Sequence, residues 1–268
     1  HDKEPSMVKK APRRTAERIL ETALALFNRF GEPQVSTTRL AAELRISTGN
    51  LYYHFAGKEV LVNALCERYA LALPAVLEMA GSVREVGQAW HFVHALLTRI
   101  WEFRFLYRDL NDLLARNHRL ELQMPQLLRQ KTDALHTLLC CLEQAQALQP
   151  LAPPVRCATA VDMAIVLSYW PSFEYLHDPR HALEPENAPA AIARGTQHAL
   201  YLLAAQLCAP QRQALLALIQ RSDSLPSPGA AWPAHGLPAK FPSQPGDAPW
   251  RNGPLSPTAT STVSTPRV

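Results

Sequence analysis

Residues 36–58 read STTRLAAELRISTGNLYYHFAGK, and two serines, Ser36 and Ser47, each stand directly before a short run suited to a helix. Serine is a favoured helix N-cap, because its hydroxyl accepts a backbone N–H that the first turn leaves unpaired. The first run turns Leu40, Ala41 and Leu44 to one side, and the second must bury Leu51 against them. Only "RIS" lies between the two runs, which leaves room for nothing but a tight helix-turn-helix.

Helical spacing continues on both sides of this unit. Before it, Ala16, Ile19, Leu20, Ala23, Phe27 and Phe30 recur three and four apart, and Gly31 supplies a stop. After it, Gly57 and Lys58 open a run to about Met79 that Pro74 is expected to bend or end early. Beyond Gly81 the pattern predicts helices over roughly 83–116, 118–148, 154–176 and 187–208, with a shorter one over 210–220. Breaks are expected at Pro125, Pro150, the Pro-Pro at 153–154 and the segment DPRHALEPENAP. Strand alternation is nowhere sustained, so the fold class is all-α.

Composition narrows the setting. Hydrophobic residues make up 47% and charged ones 19%, with no apolar run approaching the ~18 residues of a bilayer span, so a soluble protein with no membrane partner is expected. The five cysteines lie inside apolar runs, and no early charged-then-apolar leader is visible, which favours free thiols in a cytoplasmic location. A formal charge of +4 argues little in itself, but KKAPRR gathers Lys9, Lys10, Arg13 and Arg14 ahead of the first helix. Residues 222–268 hold ten of the 23 prolines, and such a segment is expected to stay disordered.

Four rings crowd into LYYHF, and Leu51 and Phe55 suffice as anchors for so small a unit. Thr48, Asn50, Tyr52, Tyr53 and His54 cannot all share the buried side, so several must face outward. Small Thr48, Gly49 and Asn50 let the helix backbone approach a partner, and Tyr and His donors with Lys58 reach phosphate oxygens. A DNA backbone satisfies these groups together.

STTRLAAELRISTGNLYYHFAGKEVLVNAL, with AERILETALALFNRFG before it, is similar to the N-terminal DNA-binding domain of the tetracycline-repressor (TetR) family of bacterial regulators. The similarity covers about residues 14–66. It implies a homodimer on double-stranded operator DNA, two helix-turn-helix heads on a helical ligand-binding and dimerisation domain, and repression relieved by a small-molecule effector. Carried over by position, it places Thr48, Gly49, Asn50 and Tyr53 nearest base edges. Tyr52, His54 and Lys58 fall at phosphates, and Thr37, Thr38 and Arg39 where the preceding helix meets the backbone. One departure is Arg45, where the family commonly has a turn glycine in a left-handed conformation. The implied organisation is a flexible basic arm over 1–12, a helix-turn-helix domain over 13–60, a helical effector-binding and dimerisation domain over 61–221 and a Pro-rich tail over 222–268.

Other chemistry is thinly supported. His91 and His94 have a metal-ligand spacing, but no further ligand is fixed near them, and no nucleophile elbow or phosphate-binding glycine loop is present. Neither an enzyme nor a cofactor is expected. In RIWEFRFLYRDLNDLLARN, Trp101, Phe105 and Arg108 share one helical face and Arg104, Tyr107 and Asn111 another; rings with a few polar groups suit a pocket for an apolar or aromatic effector. Dimerisation is expected on the all-round apolar helix carrying Trp170 and Phe173 and on a small-residue face that includes Ile192, Gly195, Ala199, Leu202 and Leu203.

Overall fold

A computed structural model describes residues 11–223, with side chains described from Arg14 to Ser222. Lys9 and Lys10 and almost all of the Pro-rich segment expected to be disordered lie outside the described residues. Among the described residues the regular elements are all helices, apart from one isolated bridge between Leu148 and Leu207.

Helix α1 (Ala11–Phe30) buries Ile19, Ala23 and Phe27 and ends at Gly31. Helix α2 (Thr37–Leu44) starts under the Ser36 hydroxyl, which accepts the Arg39 N–H at 3.1 Å. It stops at Arg45, whose backbone is left-handed (φ 55°, ψ 44°) and whose N–H turns back to the carbonyls of Ala41 and Ala42. That conformation carries the turn the family commonly builds with glycine. Helix α3 (Thr48–His54) repeats the cap, Ser47 Oγ accepting the Asn50 N–H at 3.1 Å.

Helix α4 (Lys58–Leu77) and the 3-10 turn that extends it to Ser82 run from the head into the core. Pro74 does not end it: the helix runs on to Leu77, with Pro74 on its exposed side. Lys58–Ser82 is long and apolar enough by length and composition to cross a membrane (mean hydropathy 1.5), which corrects the reading from composition. Leu61, Leu65, Cys66, Tyr69 and Leu73 of this segment are fully buried in the chain's own core.

The single helix expected over 83–116 is three: α5 (Val86–Glu102), α6 (Arg104–Arg108) and α7 (Leu110–Arg116). Both interruptions are held by the head. Asn28 of α1 donates to the Glu102 carbonyl at 2.8 Å and accepts the Phe105 N–H at 3.1 Å, and the Asp109 carboxylate accepts the Glu32 N–H at 2.9 Å. Helix α8 (His118–Gln144) passes straight through the exposed Pro125, so the expected break there is absent. Helix α9 (Pro153–His177) starts on the Pro-Pro pair, where a missing N–H costs nothing. Helix α10 (Ala188–Tyr201) ends earlier than its pattern suggests, and α11 (Ala209–Asp223) closes the core against α5 and α10.

Candidate nucleic-acid interface

Leu51 is fully buried and Phe55 nearly so, which fixes the roll of α3 on α2. The opposite side carries Thr48, Gly49, Asn50, Tyr52 and Tyr53, all exposed, with His54 half-buried beside them. Tyr53 is 80% exposed, a position that no packing requirement explains for so large a ring. The Tyr53 and His54 rings meet edge to face at 5.2 Å, and the Tyr52 hydroxyl lies 3.0 Å from Thr37 Oγ1 at the start of α2. Thr38 and Arg39 are exposed on the same helix, and the Arg39 guanidinium stacks 3.9 Å from the centre of the Phe30 ring. Hydroxyl, imidazole and guanidinium groups thus gather on one side of the head.

Lys58 is placed differently from the sequence expectation of a phosphate contact. Its Nζ lies 3.1 Å from Glu32 Oε1 and donates to the Glu32 carbonyl at 3.0 Å, so two donors are engaged within the chain. Glu32, 3% exposed, also takes Arg116 Nη2 at 3.0 Å, joining the start of α4 to the end of α7 through one carboxylate. Hydrogen bonds to Asp112 and then Glu32 hold the Arg116 guanidinium above its usual value. Beside this junction Arg108 donates to the Phe30 carbonyl at 3.1 Å and stacks 4.5 Å from the centre of the Tyr175 ring.

The expected pocket residues do not converge. Trp101, Phe105 and Tyr107 are buried, Arg104 donates to the carbonyls of Trp101 and Leu183, and Asn111 is exposed beyond the turn at Asp109. Burial pulls the Arg104 guanidinium down to about 10. The break at Phe103 explains the scatter, since it rotates α6 away from the register a continuous helix would keep. What the structure brings together instead is a chain of polar groups that the sequence reading missed. Lys131 Nζ donates to the Tyr107 hydroxyl at 2.8 Å and to Ser168 Oγ at 3.0 Å, and the Tyr107 hydroxyl meets that of Tyr69 at 2.5 Å. Burial pushes the Lys131 ammonium down to about 7 and both tyrosines up. The signal was legible: Lys131 stands in the apolar stripe of α8 with Leu127, Ala134 and Leu135, where leucine would pack.

The expected dimer residues also fall elsewhere. Gly195 faces its own chain so closely that an added Cβ would lie 2.4 Å from Leu97 Cδ2 and 2.7 Å from Trp170 Cδ1. Ile192, Ala199 and Leu203 are buried beside it, and Trp170 Nε1 donates to the Ala191 carbonyl at 2.7 Å. The small-residue face therefore seats α10 on α5 and α9. Phe173 is half-buried against Trp170, and of the set only Leu202 is exposed. Among the described residues, α9 leaves an apolar stripe uncovered, where Val161, Ile165, Tyr169 and Leu176 are 45–66% exposed.

A family model described as bacterial regulatory proteins, tetR family, matches residues 19–65, and one described as bacterial transcriptional repressor matches residues 68–215. Among solved structures, a TetR-family transcriptional regulator from Marinobacter aquaeolei VT8 is 25% identical and aligns over 78% of this chain and 98% of its own, with a TM-score of 0.66. A putative transcriptional regulator from Saccharomonospora viridis, solved with choline, shares the fold at 15% identity (TM-score 0.54, 70% of this chain and 94% of that one). The uncharacterized HTH-type transcriptional regulator YerO of Bacillus subtilis is 40% identical over 53 residues, a match that spans 20% of this chain and 18% of that relative's length.

Proposed function

The chain belongs to the TetR family of bacterial transcriptional regulators, and from that premise we propose that it acts as a cytoplasmic homodimeric repressor. It occupies a two-fold symmetric operator and leaves it when a small apolar or aromatic molecule enters the helical core. The observation that carries the DNA reading is the outward face of α3, where a ring 80% exposed stands with Thr48, Gly49 and Asn50 above a buried Leu51. Thr48, Gly49, Asn50 and Tyr53 read base edges; Tyr52, His54, Thr37, Thr38 and Arg39 hold phosphates and fix the register. Lys58, committed to Glu32, ties α4 to the head and supports the interface from behind.

Dimerisation uses the exposed apolar stripe of α9, which a second copy would cover, and two-fold symmetry then asks for recognition helices about 34–36 Å apart. Coupling runs through α6. Its first turn is tied to Asn28, its last residue to the Phe30 carbonyl, and its middle to the Lys131 cluster. A ligand that shifts α6 therefore shifts the head, and ~1–3 kcal/mol of differential binding is enough to matter. The fold accommodates a small molecule in the choline-bound regulator.

Selection from a random duplex library tests this directly. The expected result is a pseudo-palindromic site with half-site centres one helical turn apart, or a multiple, protected by a dimer. Enrichment of a single unsymmetrical half-site would end the dimeric reading. A symmetric footprint that no small molecule disturbs would leave a DNA-binding regulator without an effector.

A further inference from the structure

Lys131 puts an amine in a place built for an aliphatic side chain. It is 2% exposed, enclosed where α8 meets α6 and α9, with its Nζ 4.6 Å from the centre of the Tyr107 ring. On the neighbouring helices Glu143 pairs with Arg156 and Glu174 with Arg194, while Asp133 and Asp162 are exposed to solvent. Among the described residues no acid pairs with Lys131, and two hydroxyl oxygens serve its three donors. An enclosed charge without a counter-ion is costly, and an apolar residue of like volume would be better for stability. The position is therefore explained by something that supplies the missing negative charge.

We propose that Lys131, with Tyr107 and Ser168, receives the carboxylate of a small organic acid whose apolar body lies among the aliphatic and aromatic side chains around it. The proposal rests on the reading of the protein as a ligand-released regulator and names the class of ligand. One unbalanced positive charge matches a monoanion. A phosphate dianion would need further cations, and the two arginines of α6, Arg104 and Arg108, are held on the carbonyls of Leu183 and Phe30. The two oxygens of a carboxylate suit the ammonium and one flanking hydroxyl, which turns from acceptor to donor as the anion arrives. Leu127, Ala134 and Leu135 on the same face of α8, with Leu167 beside Ser168, favour an alkyl or aryl body.

The consequence reaches DNA because Tyr107 belongs to α6. An anion that draws Lys131 Nζ and the Tyr107 hydroxyl to itself competes with the Tyr107–Tyr69 contact that ties α6 to α4. The neighbouring residue, Arg108, holds the end of α1.

Pairs of compounds that differ in charge alone provide the test: benzoate against benzamide, 4-phenylbutyrate against its amide, and decanoate against decanamide. In calorimetric titration of the full chain without DNA, the acid of at least one pair is expected to bind ~10-fold or more tighter than its amide. With lysine carbon-13 labelled at Cε, the Lys131 resonance should shift with that acid and not with the amide. Lys131→Met is expected to abolish the preference; should that protein not fold, the labelled wild type still decides. Equal affinity in every pair, failure of every acid to bind, or a preference that survives Lys131→Met overturns the proposal. Operator release is read in parallel. Amides that release DNA while acids do not would sink the carboxylate site and keep ligand-released repression. An acid preference at Lys131 with no release by any compound would do the reverse.

Discussion

Gly31 meets two demands that no other residue meets together. Its φ is 86°, and a Cβ there would lie 2.1 Å from Arg108 Nη2. Gly31→Ala should therefore lower stability by roughly 1–3 kcal/mol, from backbone strain and from displacing Arg108 off the Phe30 carbonyl; urea titration measures it, and an unchanged midpoint would mean the bend relaxes freely. Arg45 also has a positive φ, in the left-handed helical region, and carries a full side chain there. Arg45→Gly is expected to gain up to ~1 kcal/mol, while any phosphate contact it makes would be lost as a shallower salt dependence of operator binding. Asn50→Ala should relax preference at one operator position by roughly 1–3 kcal/mol; equal losses on all sequences would instead make Asn50 a backbone contact. Lys131 sets a pH signature. Its folded value of about 7 lies below the 10.5 of the open chain, so between these values the unfolded state holds the proton that the folded state releases. The stability lost to burying this charge grows as pH falls from about 10.5 to 7 and is constant below. The groups facing it, Tyr107 and Tyr69 with Cys66 behind, are all driven upward by burial, Cys66 to about 12, and stay neutral in the fold across this range. Lys131→Met should accordingly exceed the parent in stability most at pH 7 and least near pH 10, as followed by thermal melts across that window.

At the scale of the elements, what the sequence revealed depended on how local the cause was. The caps at Ser36 and Ser47, the stop at Gly31 and the buried side of α3 all rest on residues within four positions of one another, and they stand as read. The break of the expected 83–116 helix does not, because Asn28, which receives the Phe105 N–H, lies 77 positions away. Pro125 misled for the opposite reason: a proline inside a helix costs one bond and some strain without having to end it, and here both Pro125 and Glu121, whose carbonyl its ring leaves free, are exposed residues. Small residues at helical spacing on α10 announced close approach correctly, yet could not say that the approaching partners are Leu97 and Trp170 of the same chain. The roll of α3 that sets the candidate DNA face was legible; the Lys131 cluster needed α4, α6, α8 and α9 brought together. Asn28→Ala should cost about 1–3 kcal/mol by leaving a buried N–H and a carbonyl unpaired. It should also weaken the link between core ligand and operator, seen as a smaller ratio of operator affinities with and without effector.

For the whole molecule, the uncovered stripe of α9 gives a sharp expectation. Ile165→Glu puts a charge at a position 58% exposed, harmless to the folded protomer and unfavourable in an apolar interface. Sedimentation at micromolar concentration should show monomers and operator affinity should fall steeply; a persistent dimer would place the interface elsewhere. Helix α11, the last among the described residues, bears on how the chain is made. Val86, the first residue of α5, donates its N–H to Gln211 Oε1 at 2.7 Å across 125 positions, and Leu148 bridges to Leu207 close by. A nascent chain can thus form its head early, from contacts among neighbours, while the core helix α5 waits for residues translated long afterwards. Until then its first turn is open and the surface meant for α11 is bare. Synthesis halted before Gln211 would leave a reader of DNA on an unfinished core, so chaperone capture of stalled chains should rise just short of that point.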